Sequence, residues 1–185
     1  SMDRTNWCFG KANINFLVLA LVHDGMAIPL FWMLLDKKGN SDKAERQALI
    51  GQFLDTFGHE RIGRLFGDRE FIGKDWFVWL KINKVPFALR IKENMHIGCI
   101  PGKIKTGNQE IRRLRPGKRL VLEQERTIGH PKENLRLFVA ALRIDDHESL
   151  IVVTDQNPET AIDDYAKRWE IETLFGCLKS RGFNM

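Results

Sequence analysis

The sequence predicts an α/β protein built on one mixed sheet with helices packed against it. Strand-like apolar runs alternate with segments whose apolar residues recur at helical spacing, in the order strands, helix, strand, helix, strand, β-rich segment, strand, long helix. Hydrophobic residues make up 43% of the 185 residues, which is enough for one substantial core. Strands that alternate with helices around a single core favour a mixed sheet flanked by helices.

The first elements are predicted to be a hairpin of buried strands. Residues 13–22 and 26–35 are rich in apolar and β-branched types, and the residues between them, His23, Asp24 and Gly25, form a turn signal. Asp3 lies just ahead of the hairpin. We expect it at the end of a preceding strand that pairs with the hairpin.

Helices and strands alternate in the next segment. Ser41 is the expected cap of a helix that runs to about Phe57, and Gly58 is its expected stop. The following predicted elements are a strand at 61–66 that ends at Gly67 and Asp68, a helix at 73–84 and a strand at 86–91.

Residues 92–147 differ in character from the rest of the chain. Gly and Pro separate short alternating runs, at 120–124 and 135–142, which indicates a β-rich insertion before a last core strand at 150–153. Residues 103–119 contain seven basic side chains and one acid, which suits a polyanion such as DNA; the alternative is a solvated β-hairpin. The arginines that we expect to contact DNA there are Arg112, Arg113 and Arg115.

The last helix is predicted to cover residues 157 to about 181, with an Asn-Pro start signal. Tyr165, Arg168, Glu172 and Lys179 fall within an arc of roughly 60° on one of its faces, at about 100° per residue. Apolar residues occupy the opposite face, as a core-facing helix requires. Taken alone, the polar stripe also fits a solvated face with ordinary charge pairs.

The spacing of this stripe, Y-x2-R-x3-E-x6-K, resembles the Y–R–E–K signature of DDE transposases from bacterial insertion sequences, in the subgroup called insertion-sequence family four. Two further segments are similar to motifs of that family and occur in the same order. Residues 2–5 resemble its first-aspartate strand, and residues 67–71, with a D-R-E core, resemble its second-aspartate motif. A β-rich insertion before the glutamate is also typical of the family. The resemblance therefore covers nearly the whole sequence.

The resemblance implies a ribonuclease-H-like fold in which Asp3 and Asp68 lie on adjacent strands and Glu172 lies on the last helix beside them. These carboxylates are then the catalytic residues and the ligands of two Mg²⁺ ions, for which Mn²⁺ can substitute. Hard cations prefer oxygen ligands, and two ions about 3.5–4 Å apart serve the attacking and leaving oxygens of a phosphodiester together. Water first cuts at the transposon end, and the freed 3′ hydroxyl then attacks target DNA.

The resemblance further implies double-stranded DNA as the partner, as terminal inverted repeats and as target, and a DNA-bridged homodimer for the full-length protein. Tyr165, Arg168 and Lys179 are expected to contact phosphates near the cleaved end. Arg69 is either a further phosphate contact or an ordinary surface arginine. Three cysteines without a C-x-x-C pair, no secretory signal and apolar runs too short to span a bilayer favour a cytoplasmic protein without a membrane partner.

Simpler interpretations exist for each acid. Asp3 fits a strand end or turn, Asp68 a turn or helix cap, and Glu172 a surface ion pair. At the level of function, the alternatives are a ribonuclease-H-like structure-specific nuclease and a degenerate, non-catalytic DNA-binding module. A hairpin step on the transposon end, frequent in the subgroup, needs an aromatic platform for an extruded base. The insertion contains only Phe138, so that step stays open.

The two ends of the sequence indicate a fragment of a longer protein. Ser1-Met2 resembles the remnant of a cleaved tag, and the sequence stops abruptly after a strong helix signal. We therefore expect residues 1–185 to be a catalytic domain interrupted by an insertion at about 92–147. An N-terminal region that binds DNA ends and a C-terminal region are expected to lie outside this sequence.

Overall fold

The chain folds into strands and helices that occur in mixed order. The computed structural model describes residues 1–9, 11–99, 106–130, 132 and 134–179, and for residues 8, 9 and 12 it describes the backbone only. The strands are β1 (Met2–Phe9), β2 (Ala12–His23), β3 (Met26–Leu35), β4 (Leu65–Gly67), β5 (Phe87–Arg90), β6 (Arg119–Thr127), β7 (Arg136–Arg143) and β8 (Ser149–Thr154). The helices are α1 (Lys43–Phe57), α2 (Lys74–Ile82), α3 (Gly107–Arg112), α4 (Ala161–Ala166) and α5 (Trp169–Cys177), with a 3₁₀ turn at His59–Arg61.

The first three strands form an antiparallel sheet in the order β1-β2-β3, which confirms the predicted hairpin. Asp24 and Gly25 connect β2 to β3 with positive φ angles of 50° and 78°, as a two-residue type I′ turn requires. The strand predicted ahead of the hairpin is β1, which pairs with β2; Asp3 is its second residue, near the beginning of the strand, and pairs with Val18. The expectation of buried strands fails in part, since Trp32 is exposed.

The second sheet has the order β4-β5-β8-β7-β6, in which β4 and β5 are parallel and the other pairs antiparallel. β1 contacts β4, so the two sheets lie side by side. The predicted mixed α/β fold is confirmed. The strands of the predicted insertion, β6 and β7, extend the same sheet, and Leu137 and Val139 of β7 are fully buried in the main core.

Helices cover both faces of the first sheet. Residues directly opposite each other on paired strands share a face, so Val18 and Asp3 point the same way. Val18 packs with Ile171 and Phe175 of α5, which therefore covers the face of Asp3. α1 packs against β3, and Leu49 of α1 belongs to the core on the other face.

The first helix begins one residue later than predicted. Asp42, not Ser41, is its N-cap, and its carboxylate accepts a hydrogen bond from Glu45 N in a capping box. Ser41 is buried and accepts a hydrogen bond from Arg46 Nε at 3.0 Å. Gly58, with φ 81°, ends the helix as predicted.

Three further predictions differ from the structure. The strand predicted at 61–66 is shorter, because Arg61 lies in the 3₁₀ turn. The segment that contains the basic run at 103–119 was predicted to be β-rich, but the helix α3 lies within this run. Residues 103–105 lie outside the described residues. The predicted last helix is divided into α4 and α5. No described helix is long and apolar enough to cross a membrane.

The burial of β7 can be tested by comparing two leucines in strands. Leu137→Ala should lower the free energy of unfolding by about 2–5 kcal/mol, because it leaves a cavity in the core. Leu34→Ala, on the edge strand β3 with 62% exposure, should change the free energy of unfolding by at most about 0.5 kcal/mol. Urea denaturation of both variants measures the difference. Equal effects would show that β7 is peripheral to the core.

Candidate active site

Three elements that are distant in sequence bring the predicted acids to one region. Asp3 lies on β1, Asp68 follows the last residue of β4, and Glu172 lies on α5. Gly67 lets β4 approach its neighbours closely, since a Cβ there would lie 2.9 Å from Cδ2 of Leu89. A larger residue at this position would force the Leu89 or Phe71 side chain, which contacts this Cβ position, to shift. The backbone oxygen of Asp68 accepts a hydrogen bond from Phe71 N at 2.9 Å, which fixes the turn.

The break between α4 and α5 is a tight turn. Arg168 N donates a hydrogen bond to Tyr165 O at 2.9 Å, and Ile171 N donates one to Arg168 O at 3.1 Å, both with the i to i+3 spacing of a 3₁₀ turn. Each residue of such a turn rotates by about 120° rather than 100°. The four signature residues therefore do not form one straight stripe. Their exposure differs accordingly: Tyr165 and Arg168 are buried, whereas Lys179 is exposed.

Arg168 joins two of the three acids. Its Nη1 donates a hydrogen bond to Asp3 Oδ2 at 3.0 Å, and its Nη2 donates one to Glu172 Oε1. The Arg168 side chain is 5% exposed and that of Asp3 16%. Burial opposes the charge of the guanidinium, but Tyr165 and the two carboxylates outweigh this effect and raise the pKa of Arg168.

Tyr165 connects this pair of acids to Asp68. Its hydroxyl donates a hydrogen bond to Asp68 Oδ1 at 3.4 Å, and the Arg168 guanidinium lies over its ring, 5.6 Å from the centroid. The ring packs in a core cluster with Phe66 and Val152. Burial raises the pKa of the Tyr165 hydroxyl, so the hydroxyl stays a donor. A continuous chain of contacts therefore runs from Asp68 through Tyr165 and Arg168 to the other two acids.

Two further arginines lie near Asp68. Arg69 Nε and Arg90 Nη1 are each 4.0 Å from Asp68 Oδ1. Arg69 is half exposed, whereas Arg90 is largely buried and also pairs with Glu148 at 2.5 Å. Arg90 was not predictable from the sequence, because a single basic residue at the end of a predicted strand carries no spacing signal.

A fourth acid lies close to the site. Glu70, the last residue of the D-R-E segment, pairs with Arg4 Nε at 3.3 Å, and its charge acts on Asp3. Burial raises the pKa of Asp3 from 3.8 to about 6, and the charges of Glu70 and Glu172 add to this effect. A hydrogen bond from Arg4 N and the charge of Arg168 oppose it.

The remaining predicted DNA contacts lie outside this network. Lys179 follows α5 and is exposed. Arg112 ends α3, Arg113 and Arg115 follow it, and all three are exposed. No hydrogen bond or ion pair links these four side chains to the acids in the part of the chain that the structure describes. They form surface charge and not part of the acid cluster.

The donor set suits a hard cation in chemistry. Asp3, Asp68 and Glu172 offer carboxylate oxygens, which divalent cations such as Mg²⁺ prefer. Asp3 and Glu172 converge on a single positive charge, that of Arg168. Among the described residues, no group of three or more His, Cys, Asp or Glu side chains is already arranged to hold a metal ion. Three-ligand coordination would therefore require these side chains to rearrange.

One acid on a strand of the first sheet, one after a strand of the second sheet and a third on a helix beside them are the arrangement expected of enzymes that transfer phosphoryl groups on nucleic acid. The chain matches the family model described as transposase DDE domain over residues 2–185 and belongs to that family. The fold is consistent with the ribonuclease-H-like architecture that the resemblance implied, and the family acts on DNA by nucleotidyl transfer. Among curated proteins, none matches the chain at the required significance.

The pKa of Asp3 predicts a pH dependence of stability. The folded protein, with a pKa of about 6, takes up a proton at Asp3 between about pH 6 and pH 4, where the unfolded chain stays ionised. The free energy of unfolding should therefore fall as the pH rises through this window. Asp3→Asn removes this contribution, so the variant should gain stability relative to the unchanged protein from pH 4 to pH 6.5. Urea denaturation across about pH 4–7 measures the trend, with exposed Asp55→Asn as control. A parallel pH dependence for Asp3→Asn and the unchanged protein would contradict the raised pKa.

Removal of Arg168 should destabilise the protein. Arg168→Ala leaves Asp3 and Glu172 without their counter-charge, and loss of one partner from a buried pair costs about 3–5 kcal/mol. The lower end is expected, because the Glu172 side chain is 38% exposed. Thermal or urea unfolding measures the loss. Arg119→Ala, which breaks an exposed pair with Asp163, is the control and should cost about 0–1 kcal/mol.

Proposed function

We propose that the chain is the catalytic core of a cut-and-paste transposase of the insertion-sequence family four subgroup. The observation that carries the proposal is the contact of Asp3 and Glu172, from β1 and α5, with the same guanidinium, that of Arg168. Asp68 is tied to the same residue through Tyr165. The Arg168–Glu172 pair has the i,i+4 spacing of an ordinary helix-surface pair, but the Arg168–Asp3 pair joins two largely buried side chains from distant segments, which a surface ion pair does not explain.

The three acids are proposed as ligands of two Mg²⁺ ions, for which Mn²⁺ can substitute. When bound, such ions supply charge stabilisation for the attacking and leaving oxygens of a phosphodiester. Asp3 and Asp68 would hold ions from the sheet side, and Glu172 would complete the set from α5. The raised pKa of Asp3 fits this role, because a divalent charge restores the ionised form that burial disfavours.

The other signature residues are proposed as contacts to DNA phosphates. Lys179 is exposed and can reach a phosphate directly. Tyr165 and Arg168 are buried and would contact a phosphate only where the acids meet the surface. Arg69, half exposed beside Asp68, is proposed as a further contact.

A second DNA surface is proposed at the basic end of the insertion. Arg112, Arg113 and Arg115 are exposed, and cationic side chains bind phosphates without regard to sequence. The partners are double-stranded terminal inverted repeats and target DNA, in the cytoplasm, and the full-length protein is proposed to act as a homodimer on them.

The second candidate function is a structure-specific nuclease on the same scaffold. Both enzymes cut DNA with the same acids, but only the transposase joins a 3′ hydroxyl to a second duplex. A non-catalytic DNA-binding module is less well supported, because it has no need of a buried arginine that neutralises two acids.

The function is tested by removing two acids separately. Asp68→Asn and Glu172→Gln should each reduce nicking of supercoiled DNA, and joining of a labelled 3′ end to a second duplex, by at least about 100-fold. The expectation is a minimum, since loss of groups that only support metal ligands costs about 10–100-fold. Both variants should also lose most of the rise in melting temperature that Mn²⁺ causes in the unchanged protein.

The matched controls are exposed acids of the same types. Asp75→Asn removes a carboxylate on α2 that pairs on the surface with Lys43 at 3.7 Å, and Glu60→Gln removes one from the 3₁₀ turn. Both should keep full activity and the full Mn²⁺ effect. Nicking without joining would favour the nuclease, and an undiminished Mn²⁺ effect in Asp68→Asn would contradict the metal site.

A further inference from the structure

We infer that Arg90 contacts a DNA phosphate next to Asp68 and that Glu148 positions it for this role. The inference rests on the proposed function, because it takes Asp68 as a residue of the cutting site. Arg90 is the last residue of β5, which lies beside β4 in parallel register, with Gly67 opposite Leu89. Arg90 therefore emerges at the edge of the sheet where Asp68 follows β4.

The Arg90 side chain is a largely buried cation with few partners. It is 14% exposed, and its Nε is buried without a hydrogen-bond partner in the described part of the chain. Nη2 donates a hydrogen bond to Glu148 Oε1 at 2.5 Å. Nη1 lies 4.0 Å from Asp68 Oδ1, which is too far for a hydrogen bond. One terminal nitrogen is thus held, and the other faces the acid without being bonded to it.

A free terminal nitrogen beside a catalytic acid is suited to an anionic oxygen. Arginine presents its donors in a planar fork that matches phosphate, and charge-assisted hydrogen bonds are among the stronger ones. If Asp68 turns its oxygens to a cation, the nearest anion left for Nη1 is the DNA phosphate that is being cut. The charge of Arg90 also reaches the Tyr165 hydroxyl, so it acts on the same cluster.

Glu148 limits the positions that Arg90 can adopt. It lies in the turn between β7 and β8, just before Ser149, the first residue of β8. β8 pairs with β5 and places Val152 opposite Arg90. Glu148, just before the start of β8, therefore reaches the Arg90 side chain from the neighbouring strand. A flexible arginine held at one nitrogen loses less conformational freedom when the other nitrogen binds. Glu148 is therefore a positioning residue and not a contact to DNA.

The test measures how DNA affinity depends on salt. Each phosphate contact contributes about 0.9 to the slope of log affinity against log salt concentration. Fluorescence anisotropy with a short labelled duplex of arbitrary sequence, in Ca²⁺ buffer, should give a slope reduced in magnitude by about 0.9 for Arg90→Gln. Arg90→Lys keeps the charge and should keep the slope. Glu148→Gln should also keep the slope but weaken binding.

Arg136→Gln is the matched control. Val152 of β8 pairs with Arg90 on one side and with Ala140 of β7 on the other. Arg136, the first residue of β7, comes four residues before Ala140 and therefore lies towards the opposite end of the strands from Arg90. This variant should keep the slope. Equal slopes for Arg90→Gln and the unchanged protein would overturn the inference, as would an equal loss in Arg136→Gln.

Two further outcomes separate this inference from the proposed function. If Arg90→Gln lowers the slope while Asp68→Asn still cuts DNA, the phosphate contact stands and the catalytic proposal fails. If Asp68→Asn loses cutting while Arg90→Gln keeps its slope, only the inference about Arg90 fails. Unfolding of Arg90→Gln would show as loss of the melting transition. In that case the folded Arg90→Lys and Glu148→Gln variants decide the question. A reduced slope for Arg90→Lys, or an unchanged DNA affinity for Glu148→Gln, would overturn the inference about Arg90.

Discussion

The candidate site depends on one buried cation, the guanidinium of Arg168 between Asp3 and Glu172. Asp3 is largely buried and loses hydration, and the charges of Glu70 and Glu172 add to this effect, so its ionised form is disfavoured. The positive charge of Arg168 opposes these effects, although burial still leaves the pKa of Asp3 at about 6. Because Arg168 caps α5 and Asp3 lies on β1, their ion pair also holds the beginning of α5 against the first sheet. The ion pair of Arg168 with Asp3 therefore belongs to the candidate site and also fixes the last helix to the first strand.

The tight turn between α4 and α5 explains how one segment serves both sides of the site. In a straight α-helix, Tyr165 and Arg168 would lie about 60° apart around the axis. In a 3₁₀ turn, residues i and i+3 eclipse each other. The Arg168 guanidinium accordingly lies over the Tyr165 ring, at 5.6 Å from its centroid. The ring hydroxyl then points to Asp68 while the guanidinium points to the other two acids. The break in the helix is thus part of the geometry of the site.

The sequence predicted elements with strong local signals and missed features set by tertiary contacts. The hairpin was predictable because its turn contains Asp24 and Gly25, which tolerate positive φ. The three acids were predicted as site residues from motif spacing, which does not depend on where the helices and strands begin and end. The helix break has no such signal, since neither Gly nor Pro lies at the junction and both flanking segments favour helix. Arg90 was also beyond prediction, because its importance lies in a contact with Asp68 across parallel strands.

The strands of the predicted insertion belong to the second sheet and can therefore influence the side chains at the ends of its other strands. β7 pairs with β8, and β8 pairs with β5, so the position of the inserted strands determines where the turn with Glu148 lies. Glu148 holds Arg90, and Arg90 faces Asp68. A separate inserted domain on a flexible linker would transmit nothing along this path. Because β7 shares hydrogen bonds with β8 and core residues with the other strands, a shift of β7 would move the turn that carries Glu148, the partner of Arg90. In this fold the strands of the predicted insertion are thus part of the sheet that ends at Arg90 and Asp68, and not an appendage on its surface.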